Sequence, residues 1–253
     1  RISETVMLSL SSAALSFAPA AALRPSPVAT RASSTMVAKE LETLAAELNP
    51  AIGYFDPLGL GSADFWSQGN DATVGFLRHA EIKHGRVAMF AFVGYCVQAN
   101  GIHCAFPMSL PEETNLQYAA GLSPPEQWDA LTPQAKFQIF VFVGFLEFWG
   151  ELGASLGGGH YMRGGKPGDY PEFPDKNVIP FTPLGVPSLF DPAGFSKKKT
   201  DAQKAEGLVK EINNGRAAMI GIMAFLTEQK IPGAVPWGPH LKEYAGEVMA
   251  PLM

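Results

Sequence analysis

A chain of 253 residues with 47% hydrophobic and only 17% charged residues, 26 Gly and 21 Pro fits a helical membrane protein with structured loops better than an average soluble domain. The formal net charge of −5 and the lack of any Arg/Lys-plus-aromatic stripe give no reason to expect a nucleic-acid partner. Two cysteines, Cys96 and Cys104, cannot build a disulfide framework; they read as two free thiols, with one bridge open if that end of the first long helix faces an oxidising space.

Residues 1–34 are rich in Ala, Ser and Pro and set Arg1, Arg24 and Arg31 against one acid, Glu4. They read as a transit-type targeting segment, too short and too broken by Pro to span a bilayer. A disordered tail has the same composition. Lys39 to Leu48 places Leu41, Leu44, Ala45 and Leu48 at helical spacing, a short amphipathic helix expected to lie on a surface. A turn-rich loop follows, Phe55-Asp56-Pro57-Leu58-Gly59, and it recurs as Phe190-Asp191-Pro192-Ala193-Gly194.

The first long helix is predicted over 71–99, with an amphipathic opening outside the bilayer. The connection from Gln98 to Ala135 holds no Lys or Arg and reads as irregular. The second helix, 133–156, is strongly apolar but encloses Glu147, which has no Arg four residues away. A carboxylate there must be protonated, paired or bound to a cation. The second connection is basic, with Arg163, Lys166, Lys176, Lys197, Lys198 and Lys199, and so lies on the side from which insertion occurs. The third helix is predicted over 201–229, and the tail from Gly238 to Met249 as a short amphipathic helix on the opposite face.

Helices one and three share a motif. Glu81-Ile82-Lys83-His84-Gly85-Arg86-Val87-Ala88-Met89 returns as Glu211-Ile212-Asn213-Asn214-Gly215-Arg216-Ala217-Ala218-Met219, each behind its own Phe-Asp-Pro-x-Gly loop and each opening into an apolar run. The repeated unit is therefore loop plus helix. Within a copy, Glu and Arg stand five apart, about 140° round a helix, so they cannot pair on their own helix. A charge left single near the bilayer centre costs at least about 2.5–3.5 kcal/mol. The simplest closed arrangement is a pseudo-twofold crossing in which Glu81 meets Arg216 and Arg86 meets Glu211. Gly85, Ala88, Gly215 and Ala218 are small enough to let the backbones approach. The fold class expected is thus an all-α membrane protein of three transmembrane helices, one and three forming a crossed pseudo-twofold pair, with short amphipathic helices added.

The remaining donors suggest the chemistry. Glu81-x-x-His84 sets a carboxylate and an imidazole one turn apart, Glu211-x-x-Asn214 a carboxylate and an amide, and Glu147 a lone carboxylate. Mg²⁺ accepts such ligands. Because the repeat places them on outward faces, they suit several separate magnesium tetrapyrroles, each with one axial ligand. Glu-x-x-His is also half of a di-iron carboxylate site, but here the second copy is Glu-x-x-Asn and the helix count is three. A transporter built on inverted repeats is a further, weaker alternative. HExxH, GxSxG, P-loop and GxGxxG signatures are absent, so no enzyme is expected.

These motifs resemble the light-harvesting chlorophyll-binding superfamily over roughly Ile52 to the C-terminus. Glu-Ile-Lys-His-Gly-Arg together with His160-Tyr161-Met162-Arg163-Gly164-Gly165-Lys166-Pro167-Gly168 resembles its chlorophyll a/c branch. The dinoflagellate peridinin-binding membrane antennae are most alike, with fucoxanthin-type antennae next. The resemblance implies a single light-harvesting domain over 35–253 in the chloroplast thylakoid membrane. It implies chlorophyll a, chlorophyll c and carotenoids, with peridinin and diadinoxanthin favoured and fucoxanthin the alternative. Neighbouring antenna subunits, membrane lipids and a photosystem core, photosystem I before photosystem II, are the implied partners. Carried over by position, Glu81, Glu211, His84, Asn214 and Glu147 would ligate chlorophyll magnesium, with Arg86 and Arg216 pairing the first two carboxylates. Glu228 falls where plant members have a ligating Gln. His240 and Gln138 would hold further chlorophylls. Asp56-Pro57 and Asp191-Pro192 would seat carotenoid ends, although Ala193 replaces the usual Leu. A photoprotective, quenching member of the same superfamily is the alternative function.

Overall fold

The computed structural model describes residues 39–103, 121–156, 159–171, 194–236, 238 and 241–247. Every regular element among them is helical. In chain order these are α1 (39–48), α2 (Asn70–Ala99), α3 (Pro124–Asp129), α4 (Pro133–Leu156) and α5 (Asp201–Lys230), with single 3-10 turns at Leu60–Ser62, Tyr161–Arg163 and Phe195–Lys198.

Local chemistry sets the boundaries. Thr200 and Gln203 form a reciprocal capping box: the Thr200 N–H donates to Gln203 Oε1 (3.0 Å) and the Gln203 N–H to Thr200 Oγ1 (3.3 Å). The start of α2 is braced by the loop before it. Asp64 accepts the N–H groups of Gln68 and Gly69, and the Asn70 amide donates to the carbonyls of Gly61 and Ala63. Asp56 folds the Phe-Asp-Pro-x-Gly loop by accepting the N–H groups of Leu60 (3.0 Å) and Gly61 (2.7 Å) and the Tyr54 hydroxyl (3.1 Å).

α2 and α5 are the centre of the fold. Each has 30 residues, about 45 Å at 1.5 Å per residue. They come closest where Gly85 faces Gly215, near the middle of both. A Cβ on Gly215 would lie 2.8 Å from Gly85 Cα, and one on Gly85 would lie 3.0 Å from Gly215 Cα, so the contact is backbone on backbone. On one side of this point Ile82 and Ile212, equivalent in the repeat, are buried with Leu48 of α1, and Leu44, Leu208 and Val209 pack around them. α1 thus closes one end of the crossing instead of merely lying on a surface. On the other side Phe92 and Tyr95 stack on Phe225, each at 5.0 Å, and the Tyr95 hydroxyl donates to Gln229 Oε1 at 2.7 Å.

α4 is different. Over Pro133–Ala154 it is long and apolar enough to cross a membrane, yet almost none of that stretch is buried by protein. Phe137, Phe142 and Phe148 are 63%, 53% and 66% exposed. A strap, residues 159–171, ties α4 to α2. On the α2 side the Tyr161 ring stacks on His79 at 3.9 Å, the Gly168 N–H donates to His79 Nδ1 (3.0 Å), and Arg86 Nη1 donates to the Gly168 carbonyl (2.6 Å). On the α4 side His160 and the Tyr161 hydroxyl donate to Glu151 (2.8 and 2.9 Å), and the Tyr170 hydroxyl donates to the Leu146 carbonyl (3.0 Å). Gly75 is required here, because a Cβ on it would meet the Tyr161 carbonyl oxygen at 2.2 Å.

Two expectations are corrected. The connection after α2 is not irregular throughout: it contains α3, opened by Ser123, whose N–H and hydroxyl both donate to Glu126 Oε2. The tail does not form a helix over 241–247. Instead it runs across α3 and the end of α5. Lys242 Nζ donates to Glu126 (2.8 Å), the Tyr244 hydroxyl to Asp129 (2.7 Å), and the Tyr244 N–H to the Gln229 carbonyl (2.9 Å). The last of these takes the Tyr244 N–H, a backbone donor that a helix would use. The targeting segment at 1–34 and Cys104 lie outside the described residues, and Cys96 is a free thiol.

Candidate functional site

The repeat places its charges across the crossing. Arg216 Nε donates to Glu81 Oε1 at 2.7 Å, and Arg86 Nε donates to Glu211 Oε1 at 2.5 Å. The two bonds are equivalent under exchange of α2 and α5, with Gly85 and Gly215 between them. Each carboxylate gives one oxygen to the opposite helix and keeps the second. The charge is neutralised without consuming the carboxylate as a ligand.

His84 lies on the outer face of α2. Its Nδ1 sits 2.7 Å from the Ala80 carbonyl, which can only accept, so Nδ1 carries the proton. The lone pair is then on Nε2, the tautomer in which a neutral imidazole binds a metal. Asn214, its counterpart on α5, is likewise exposed, while the neighbouring Asn213 turns inward and donates to the Leu48 carbonyl at 3.2 Å. Among the described residues, no three His, Cys, Asp or Glu side chains group as a metal cluster would need. The donors are separate, each on its own stretch of outward helix.

Glu147 on α4 is the third such carboxylate. Its Oε2 accepts from Lys83 Nζ of α2. Sequence reading asked for a partner and did not find one; Lys83 lies 64 residues away and inside the repeated motif. Around these donors the surface is apolar and open. Phe90 and Ile220, on the outer faces of α2 and α5, are 82% and 74% exposed. A flat macrocycle held by one axial atom needs such an arrangement: a hard donor, a neutralised charge, and flat apolar side-chain surface beside it.

The profile of the family described as "Chlorophyll A-B binding protein" matches residues 40–230, from α1 to the last residue of α5. The chain belongs to that family. Similar members include the chloroplastic fucoxanthin-chlorophyll a-c binding protein F of Phaeodactylum tricornutum, 33% identical over 229 residues that span 89% of this chain and 94% of the relative. A chloroplastic fucoxanthin-chlorophyll a-c binding protein of Trieres chinensis is 32% identical over 237 residues, spanning 90% and 98%. Protein A of that type from Macrocystis pyrifera is 31% identical over 180 residues, spanning 71% and 69%. The family match encloses both copies of the motif and the whole of α4.

Glu228 is only 3% exposed, and its two oxygens accept the N–H groups of Gly233 (2.9 Å) and Val235 (2.8 Å), closing the turn after α5. The adjacent Gln229 is equally buried and receives the Tyr95 hydroxyl. Gln138 is exposed, in a shallow apolar groove with Pro133, Gln134 and Phe137. Asp56 is engaged by its own loop, which leaves Pro57 and the neighbouring Phe55 and Leu58 facing outward. His240, Asp191 and Pro192 lie outside the described residues.

Sequence reasoning missed a cavity of about 610 Å³ between the far ends of α2 and α5 and the α3–tail layer. Tyr95, Trp128, Phe140, Leu226 and Tyr244 contribute to its apolar wall, and Gln98 lines it with a buried side-chain oxygen that has no hydrogen-bond partner among the described residues. Its walls come from five segments, α2, α3, α4, α5 and the tail, so no local pattern announces it. His79 was also missed. Its Nδ1 accepts from Gly168, which puts the proton on a buried Nε2 that has no hydrogen-bond partner among the described residues.

Proposed function

We propose that this chain is a light-harvesting antenna protein of the thylakoid membrane, holding chlorophylls and carotenoids and passing excitation to a photosystem. Residues 35–253 form one antenna domain behind a targeting segment at 1–34. α2, α4 and α5 all cross the bilayer; the charges in α2 and α5 are tolerated there because each is cancelled across the crossing.

The observation that carries this reading is the reciprocal pair of ion pairs with an oxygen to spare on each carboxylate. Glu81 and Glu211 would each hold a chlorophyll magnesium through the oxygen that the opposite Arg leaves free. His84 would use Nε2, Asn214 its amide oxygen, and Glu147 its second carboxylate oxygen. Gln138 and His240 would hold peripheral chlorophylls. Chlorophyll supplies the visible absorption when bound. The protein makes and breaks no bond: its helices fix the spacing and tilt of the rings, and its apolar surface excludes water from them.

The carotenoids would lie in the grooves of the α2/α5 crossing, with ends seated at Asp56-Pro57 and Asp191-Pro192. The relatives named above carry fucoxanthin in their names, and the motifs Glu81 to Arg86 and His160 to Gly168 together resemble the chlorophyll a/c branch, the peridinin-type antennae most of all. Chlorophyll a and c with peridinin and diadinoxanthin is the set we assign, fucoxanthin the alternative, and photosystem I the acceptor.

The test is purification of the native complex, pigment extraction, and an excitation spectrum of its chlorophyll fluorescence. The antenna reading predicts chlorophyll a and c in several copies per chain and carotenoid bands that sensitise chlorophyll emission. A chain without bound chlorophyll contradicts it. A strongly shortened fluorescence lifetime in the isolated complex would move the assignment to photoprotective quenching.

A further inference from the structure

We propose that Lys83 is the positioning residue for a pigment held by Glu147, making α2–α4 a third acid–base unit beside the two at the crossing. This rests on reading Glu147 as an axial ligand. Three carboxylates in this fold share one geometry. Arg216 engages Glu81 Oε1, Arg86 engages Glu211 Oε1, and Lys83 engages Glu147 Oε2. In every case the cation comes from a different helix and takes one oxygen only.

The repeat itself marks Lys83 as special. The two motif copies agree in Glu, Gly and Arg but part at this position, Lys83 against Asn213. The pseudo-twofold maps the α2 face toward α4 onto the α5 face toward α1. On the α1 side the position meets a backbone carbonyl, that of Leu48, and a neutral amide suffices. On the α4 side it meets a carboxylate, and a cation is required. Within the nine-residue motif this is the one position where a charged residue faces a neutral amide, and it is the position that meets α4 in one copy and α1 in the other.

The environment explains why a cation is needed. Glu147 is 56% exposed on the long apolar helix α4, so in the proposed membrane setting its charge is met by Lys83 and not by water. Lys83 holds the carboxylate by one oxygen and leaves the other open. The flexible Lys stem lets a point charge follow the carboxylate as the ring seats.

The test uses the full chain refolded with a purified chlorophyll and carotenoid mixture, scored by chlorophylls per chain and by the visible circular dichroism spectrum. Wild type, Glu147→Gln, Lys83→Met, Lys83→Arg and the exchange Lys83→Glu with Glu147→Lys are compared. Lys83→Met is expected to lose one chlorophyll and the same dichroism component as Glu147→Gln, and Lys83→Arg to recover most of it. The exchange keeps the ion pair but moves the carboxylate off α4, so it is expected to fold and still lack that chlorophyll. If Lys83→Met does not fold, Lys83→Gln, scored in the same way, decides. Full pigment content in Lys83→Met or in the exchanged protein overturns the proposal, as does loss of different pigments in Lys83→Met and Glu147→Gln. If the wild type binds chlorophyll but Glu147→Gln loses none, the Glu147 ligand reading falls and this proposal with it; if the wild type binds none, the antenna reading itself falls.

Discussion

The α2/α5 crossing and α4 solve the same problem in opposite ways. At the crossing, protein packs on protein: two glycines touch, two isoleucines and three aromatic rings are shared between the helices, and four charges cancel. α4 has few neighbours apart from the strap and the Lys83 contact, and its phenylalanines face outward. A polypeptide that must hold large flat rings at fixed spacing needs both. One part sets the frame without pigment in the interface, and another leaves its flanks free for pigment and lipid to fill. Order on the α4 side should therefore depend on pigment far more than order at the crossing does.

Breaking the crossing should have the largest effect. Gly215→Val adds a Cβ where 2.8 Å separates it from Gly85 Cα, a distance that neither backbone can relieve without moving apart. We expect no stable pigmented complex on refolding, read as loss of the green band on native gels. Gly207→Ala on the same helix, where a Cβ meets nothing within 4 Å, should refold normally. Next comes Glu211→Ala, which strands Arg86. The pair is about a third exposed, so the cost falls below the roughly 3–5 kcal/mol of a fully buried pair, and the proposed magnesium ligand disappears as well. Thermal stability and one chlorophyll should be lost together; a protein with full pigment content would refute the coupling. His84→Leu removes a proposed ligand but no ion pair. It should lose one chlorophyll with a small change in melting temperature, which pigment analysis and a thermal melt separate.

The smallest effect concerns neither region but the clasp of the tail on α3. The Lys242 ammonium, with help from the Ser123 N–H and hydroxyl, lowers the Glu126 carboxyl from 4.5 to about 2. A lowered carboxyl stabilises the fold fully above its ordinary value and loses that contribution as pH falls. The clasp should therefore loosen between about pH 4.5 and about pH 2. At the alkaline end, the hydrogen bond to Asp129 raises the Tyr244 hydroxyl from 10.0 to about 12, so its contribution holds below pH 10 and fades as pH rises through about 12. Limited proteolysis of the C-terminal segment across these ranges checks both; unchanged cleavage would show that the clasp does not titrate.

Much of the frame was legible because the signals are local. Pro133 and the Thr200–Gln203 box set helix starts that match expectation to a residue, and the five-residue separation of Glu and Arg required partners on another helix. The Ser123-Pro-Pro-Glu126 pattern was equally readable as a helix start and was passed over within a connection that looked irregular. Other features were not local. Glu228 occupies a ligand-like place in sequence, but whether its oxygens point out or cap the next turn depends on how Gly233 and Val235 fold back. Lys83 was visible in the motif while its partner was not, because contact between α2 and α4 depends on the strap.

The most direct test of the central claim is the coordination of magnesium in a high-resolution structure of the pigment-loaded protein. The account predicts that the Glu81 and Glu211 oxygens left free by Arg216 and Arg86 each lie about 2.1 Å from a chlorophyll magnesium, with both ion pairs intact. Rings ligated elsewhere, or guanidinium groups turned away from the opposite helix, would contradict it.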